Sequence, residues 1–425
     1  MDEAFADKGL DLPRPLAGKI VAIVHPVWHS GGSTRVFAAQ VRAYNWLGAK
    51  TASLALDDKP GCVDGSRASR AYLAQTADVE ASVRGFAGMP LRGVWTPRFL
   101  SAAKKWLHGD YAATWMASAQ LAAMPKAIAE LPRIDLIHCN HFFCMPAALR
   151  LSARHGCLIL LETHDVQARQ FVLRNRAGLW LRPLASYKEM LAAELDAMRA
   201  ADVLIHLNTS EAAEFQELLP EKRHVLLYPA VAAMPAGRGG GEAVIAASAN
   251  IANFFSVRWF LQEVLPLAPE VPVRIYGTIT RKLRWRTPLL LKKHSNLFMG
   301  RVEDEVLCDA YRTAAAVLLP TTAGHGISIK TIEALSSGAP LIAMPLAFRG
   351  FPEGAANLPN VTIVEDAAGF AAALRSAHAQ RHVPDLGRES SPTRRFYEKH
   401  FGFAAYCRSL LAIAGEALQK RAIMP

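Results

Sequence analysis

Short apolar runs alternate with stretches of helical periodicity along most of the chain, the pattern of an α/β protein built on parallel sheets. Lys19–His25 predicts a first buried strand, Thr34–Leu47 an amphipathic helix and Thr51–Leu56 a second strand. The stretch Lys59–Leu131, with its glycines, prolines and Trp95, Trp106 and Trp115, breaks the alternation and predicts helices with an excursion between them. The pattern resumes with strands at Asp135–Cys139 and Leu158–Glu162 around a helix near Pro146–His155. A helix over Leu184–Ala201, a strand at Val203–Leu207, a helix around Ser210–Leu219 and a strand at His224–Tyr228 follow.

A second strand series starts at Ala243–Ala247 and continues through Val273–Tyr276, Ala316–Leu319, Leu341–Met344 and Val361–Val364. Between the two series lies Ala232–Glu242, rich in glycine and the most linker-like segment of the chain. The expected organisation is therefore two doubly wound domains, residues 1–232 and 243–402. The last helix, Phe403–Lys420, has no strand after it, and residues 403–425 are expected to pack back on the first domain. Open α/β sheets bind ligands at their carboxyl ends, so the cleft between two such ends is the expected site.

Composition supports this reading. The 425 residues are 51% hydrophobic and 20% charged, enough for large cores and against extended disorder. No apolar run approaches the ~18 residues of a membrane-spanning helix, and Asp2, Glu3 and Asp7 open the chain without the apolar segment of a signal peptide. The six cysteines follow no zinc-binding spacing and fall largely in predicted strands and helices, as small core residues do. A cytoplasmic location is expected. The formal charge of +11 favours anionic partners such as nucleoside diphosphates or lipid headgroups. No nucleic-acid-binding motif is visible, and nucleic acid is not an expected partner.

The densest candidate chemistry is the run Gly324-His325-Gly326-Ile327-Ser328 leading through Lys330 and Glu333 to Gly338-Ala339-Pro340. It follows the buried strand Val317–Pro320, and Ser328–Ser337 predicts a helix. A glycine loop at a helix N-terminus lets backbone N–H groups approach an anion, which the helix dipole also favours. Lys330 adds a cation one turn in, and Glu333 shares its face. That pair suits a ligand with both a diphosphate and a hydroxylated sugar or ribose. The competing interpretation is an ordinary strand–loop–helix unit with a solvated Lys–Glu pair.

Two further loops stand at strand ends. The first strand runs through His25-Pro26-Val27-Trp28-His29-Ser30 into Gly31, Gly32 and Ser33, a glycine pair at a helix opening but without the dinucleotide G-x-G-x-x-G spacing. Thr163, His164 and Asp165 follow the strand ending at Glu162, where a His–Asp pair can hydrogen-bond sugar hydroxyls or serve structure alone. His138, Asn140 and His141 end the preceding strand, and nothing in their spacing requires a metal.

Basic residues crowd Arg281, Lys282, Arg284, Arg286, Lys292 and Lys293, interleaved with Trp285 and Leu289–Leu291. Such a segment can meet an anionic membrane surface or a polyphosphate, or be a solvated loop. Arg281 and Lys282 follow closely on Tyr276-Gly277 and are candidates to reach a ligand's phosphates. Arg98, Lys104 and Lys105, beside Phe99, Trp106 and Leu107, form a second candidate for reversible membrane contact.

In order along the chain, His-Ser-Gly-Gly-Ser, Ile-Asp-Leu-Ile-His-Cys-Asn, Glu-Thr-His-Asp-Val, Glu194 with Ala201-Asp202-Val203, Tyr228-Pro229-Ala230-Val231, Asn253 with Trp259-Phe260, and Gly324–Pro340 resemble the retaining glycosyltransferases of family 4. The resemblance spans about Ile20 to the final helix. It implies the GT-B fold, two Rossmann-like domains facing across a cleft, with a nucleotide-sugar donor on the C-terminal domain and an acceptor on the N-terminal one. Glu333 would hold the ribose and Lys330 the diphosphate. Gly31, Gly32, Ser33, Asn253 and the loop from Gly324 to Ser328 would line the donor, and His164 would face the reacting sugar. His138, His141 and Asp165 would lie on the acceptor side. His325 stands where the family often has a second glutamate, and Ser248–Asn253 where it usually has an Arg and a Lys.

The implied reaction is sugar transfer with retained configuration and without a metal or other cofactor, the acceptor being a glycan or lipid-linked saccharide of cell-surface polysaccharide synthesis. The enzyme would be cytoplasmic, with peripheral contact to the inner face of the membrane. Two other readings fit the same architecture: a nucleotide-sugar epimerase or phosphorylase, and a non-catalytic subunit that binds nucleotide-sugar.

Overall fold

In a computed structural model of the protein, residues 14–26, 32–57, 77–84, 124–176, 186–237, 239–380 and 387–423 are described, with the single positions 97, 100 and 104. They form two compact units. One holds the described residues within Asp7–Ala230 and Tyr406–Pro425, the other those within Val231–Ala405.

The N-terminal unit is built on seven parallel strands: β1 Ile20–Pro26, β2 Lys50–Asp57, β3 Val79–Arg84, β4 Leu136–Asn140, β5 Leu158–Glu162, β6 Val203–His206 and β7 Arg223–Leu226. They lie in the order β3-β2-β1-β4-β5-β6-β7. Its helices are α1 Gly32–Trp46, α2 Met145–His155, α3 Gln167–Arg176, α4 Tyr187–Arg199 and α5 Thr209–Leu218. The central strands are buried end to end because both faces carry helices, which is why they read as continuous apolar runs rather than alternating ones. Val79–Arg84 is a strand inside the stretch that the sequence pattern left unparsed. Its sequence, Val-Glu-Ala-Ser-Val-Arg, lacks the apolar run that marks the inner strands. Helix α4 starts on a capping box, in which Ser186 Oγ accepts from Glu189 N at 3.3 Å and the Glu189 carboxylate accepts from Ser186 N at 2.7 Å.

The C-terminal unit repeats the design with six parallel strands in the order β10-β9-β8-β11-β12-β13. These are β8 Glu242–Ala246, β9 Val273–Tyr276, β10 Phe298–Gly300, β11 Ala314–Leu319, β12 Leu341–Ala343 and β13 Val361–Ile363. The helices are α6 Ile251–Trp259, α7 Ile279–Arg286, α8 Pro288–Lys293, α9 Asp304–Arg312, α10 Ile329–Ser337, α11 Ala367–Ala379 and α12 Pro392–His400, while the last helix, α13 Phe403–Ile423, belongs from Tyr406 onward to the N-terminal unit. The three-residue edge strand β10 has no counterpart in the sequence pattern, being too short to carry one. Each sheet has its own apolar core, one around Val24, Ile137, Phe142 and Leu161, the other around Ile245, Phe260, Leu318 and Phe370.

The glycine-rich stretch before β8 is not a loose tether. Val231 O accepts from Tyr397 Oη, Met234 N donates to Ser336 Oγ at 2.8 Å, and Met234 O accepts from Arg394 at 2.8 Å. A Cβ on Gly237 would stand 1.9 Å from Arg312 O, so glycine there serves close packing rather than flexibility. Within the N-terminal unit, α13 carries Glu416, whose carboxylate pairs with Arg223.

Pro392–Lys420 is long and apolar enough to cross a membrane, although half of its most apolar window is buried within the structure as in a core helix. The segment is broken at Phe401-Gly402 into α12 and α13 and carries Arg408 and Glu416, so it holds no uninterrupted apolar run of that length. No disulfide forms among the described residues, and Cys139, Cys144, Cys157 and Cys407 are buried.

Candidate functional site

In the C-terminal sheet the strand order reverses between β8 and β11, so the loops leaving their carboxyl ends form the crevice where such sheets bind ligands. After β8, Asn250 caps α6, its Oδ1 accepting from Asn253 N at 2.7 Å. The Asn253 amide donates to Ser248 O at 2.9 Å and Ser248 Oγ at 3.0 Å. Asn253, expected at the donor, thus holds the shape of the loop that precedes it. Ser256 Oγ accepts from Thr322 N at 3.2 Å, which ties the loop after β11 to α6.

That second loop is pinned from both sides. Gly324, at φ 126°, would press a Cβ to 3.2 Å from Ala252 Cβ and 3.3 Å from Arg349 Nη2. Gly326 is also left-handed, at φ 71°. Arg349 donates to His325 O and to Leu346 O, each at 2.9 Å. The loop delivers the chain to Ser328, the N-cap of α10, whose Oγ accepts from Thr331 N at 3.3 Å. In the first turn of that helix, Lys330 has its Nζ shut off from solvent with no hydrogen-bond acceptor among the described residues. Burial pulls the ammonium down to about 8, while the neighbouring Glu333 carboxylate pulls the other way. Glu333 is itself buried. An ammonium carries three donors, and leaving them unmet away from water is costly. At the positive end of a helix entered by a fixed glycine loop, such a group calls for an anionic partner.

Arg281 and Lys282 lie on α7, Arg281 exposed and Lys282 half-buried. Gly31 lies outside the described residues, Gly32 opens α1, and the Ser33 side chain is likewise outside them. Arg98, Phe99, Lys105, Trp106 and Leu107 are outside them too, and Lys104 is exposed.

In the N-terminal unit the residues at the ends of β4 and β5 form a buried polar network. Glu162 Oε2 accepts from Gln40 Nε2 at 2.8 Å and lies 3.2 Å from His138 Nε2. Gln40 and Asn140 exchange amide hydrogen bonds, both at 2.8 Å. His164 Nε2 lies 2.9 Å from Asn140 Oδ1 and 3.3 Å from Glu162 Oε1. With acceptors on that nitrogen, the proton sits on Nε2 and Nδ1 keeps its lone pair. Burial lowers His164 to about 4, against the raising effect of Glu162 and with a lowering one from His138. Burial alone would raise Glu162, but the hydrogen bond to His138, the charges of His164 and His138 and the Gln40 amide hold it below the usual carboxylate range. The ring of His164 stacks on His141, centroids 4.0 Å apart, and meets the edge of Phe37 at 5.5 Å. His141 and His164 are the two non-glycine residues of positive φ among the described residues, at 64° and 63°. Strained backbone of this kind gathers at functional sites.

His138 requires correction. It was expected on the acceptor side, yet it is fully buried in β4, bonded through Nδ1 to Tyr44 Oη at 3.0 Å and through Nε2 to Glu162. It positions the carboxylate and cannot meet a substrate. Asp165 is half-buried beside Glu194 and Glu211, whose carboxyls its charge helps to raise. Glu194 accepts from the N–H groups of Gln167 at 3.0 Å and Ala168 at 3.2 Å, capping α3 and fixing the loop that carries His164. Sequence reading gave Gln40, Glu162 and Glu194 no such roles. The available signal was a carboxylate closing the apolar run of β5, which must find partners when buried.

Residues 242–380 match the family model of glycosyl transferases group 1, so the C-terminal unit carries that family's sequence pattern. No curated protein matches the chain. Among solved structures, HepE from Anabaena in complex with UDP aligns with a TM-score of 0.62 at 11% identity, covering 94% of this chain and 100% of that one. Sucrose-phosphate synthase from Thermosynechococcus elongatus aligns at 0.61 and 14%, covering 95% and 100%. Trehalose 6-phosphate synthase from Burkholderia multivorans aligns at 0.57 and 15%, covering 95% and 99%. At these identities the likeness establishes the fold, which is GT-B.

Proposed function

We propose that the protein is a retaining glycosyltransferase that moves a sugar from a nucleoside-diphosphate sugar to a hydroxyl of a glycan or lipid-linked acceptor. The observation that carries this reading is the buried Lys330 ammonium without a protein acceptor, set at the glycine-loop end of α10 and sharing a face with Glu333. The match of residues 242–380 to glycosyl transferases group 1 supports it. So does the likeness to HepE, solved with UDP and with UDP-glucose.

In this reading the bond from the anomeric carbon to the diphosphate oxygen breaks, the acceptor oxygen bonds to the same face, and its proton passes to the departing diphosphate oxygen. Lys330 and the N–H groups opening α10 take up the charge that develops on the diphosphate. Glu333 accepts from ribose hydroxyls. The neutral His164 offers Nδ1 to a sugar hydroxyl. The proposed reaction assigns no role to a metal or other cofactor.

A turnover screen with UDP-, GDP- and dTDP-sugars, reading free nucleoside diphosphate and sugar products, tests the reading. One donor class should release nucleoside diphosphate, and His164→Ala should slow that release by about a hundredfold with unchanged nucleotide affinity. Recovery of only an epimerised donor would assign the site to isomerisation, and turnover of none would remove transfer as its function.

A further inference from the structure

The exposed surface of the α7–α8 hairpin lies outside the chemistry above. Residues 271–302 contain eight Lys and Arg and no Asp or Glu, in a chain whose whole excess is +11. Two of these cations turn to the protein: Arg274 pairs with Glu242 at 2.9 Å, and the Arg286 guanidinium lies 5.4 Å from the centre of the Phe254 ring. Helix α7 buries Ile279 and Leu283 and presents Arg281, Arg284 and Trp285, spaced as neighbours on one face. Helix α8, packed against α7, repeats the arrangement with Leu289, Lys292 and Lys293. Trp285 is 82% exposed and Leu289 81%, far beyond the other large apolar side chains of the described residues.

We infer that this hairpin is a docking face for an anionic lipid bilayer. Each helix sets one large apolar side chain beside two cations, the composition of a segment that lies in the headgroup region. Charge complementarity selects an anionic surface. Leu289, which offers nothing to a soluble polyanion, selects one with an apolar interior. Tryptophan is the side chain whose apolar body and N–H suit the boundary between the two. The inference is independent of the Lys330 site, so either can fail without the other.

Sedimentation of the full chain with phosphatidylcholine vesicles, with and without phosphatidylglycerol, tests it at low and high salt. One variant combines Trp285→Ser with Leu289→Ser, and the other combines Arg284→Gln, Lys292→Gln and Lys293→Gln. All five side chains are exposed, and unchanged thermal unfolding midpoints verify that the variants fold. The wild type should pellet with phosphatidylglycerol-containing vesicles at low salt and be released by high salt. The charge variant should lose affinity by about a hundredfold, near fivefold for each cation. The apolar variant should lose about tenfold or more. Failure of the wild type to pellet, or pelleting unaltered in either variant, would overturn the inference. Capture of a single-stranded oligonucleotide without any vesicle binding would overturn it too, in favour of nucleic acid.

Discussion

The Nε2 nitrogen of His164 lies 2.9 Å from Oδ1 of Asn140, an oxygen that also accepts from Gln40. This contact sets the tautomer of the histidine, while burial keeps the ring neutral by lowering it to about 4. Replacing Asn140 by Asp puts a second carboxylate on the Nε2 proton and favours the imidazolium. In Asn140→Asp the His164 titration should move up by at least about one unit, measured by nitrogen-detected NMR of labelled histidine. A wild-type ring that titrates at the ordinary histidine value would contradict the network.

Nucleotide binding should depend on pH through Lys330. Burial brings its ammonium to about 8, so the group is charged below that pH and loses its proton above it. An anion favours the charged form, and binding near that pH should draw a proton from solution. Affinity for a nucleoside diphosphate should thus be full below about 8 and fall above it, with calorimetric heats that vary with the ionisation enthalpy of the buffer. An affinity that is level through this range would place the diphosphate elsewhere.

Glu194 links a buried carboxyl to the loop bearing His164. Burial raises it to about 8, against the pull of the Gln167 and Ala168 N–H groups and with raising charges from Asp165 and Glu214. The folded protein keeps a proton that the unfolded chain releases near its ordinary value of about 4.3. Stability from this group is therefore full below that value and lost as the pH rises through about 8. The unfolding midpoint of the wild type should drop across that window, and Glu194→Gln should flatten the drop. Glu194→Ala leaves two buried N–H groups without an acceptor and should cost about 2–4 kcal/mol. A denaturant titration showing no loss would refute the capping role.

Much of the architecture was legible in the apolar runs. The strands around His25, Cys139, Glu162, Tyr276 and Leu319 are buried on both faces, and such strands announce themselves without tertiary knowledge. β3 and β10 were not legible, one mixed in polarity and the other three residues long. The glycine loop and Ser328 cap could be read because capping chemistry is local. Gln40, Asn140, Glu162 and His164 could not be assembled, since Gln40 reaches across 100 positions to Asn140 and 122 to Glu162. His138 was misplaced for the same reason. A histidine on an apolar strand looks identical in sequence whether it faces a ligand or fixes a buried carboxylate.

The account rests on Lys330 as the group that receives a diphosphate, and isothermal titration of wild type, Lys330→Met and Glu333→Ala with UDP, GDP and dTDP tests it most directly. Charge-assisted hydrogen bonds contribute roughly 1.5–3 kcal/mol, so each variant should bind the preferred nucleotide about ten- to hundredfold more weakly. Lys330→Met should lose more affinity for the diphosphate than for the nucleoside. Equal affinity of all three proteins for every nucleotide would contradict the account.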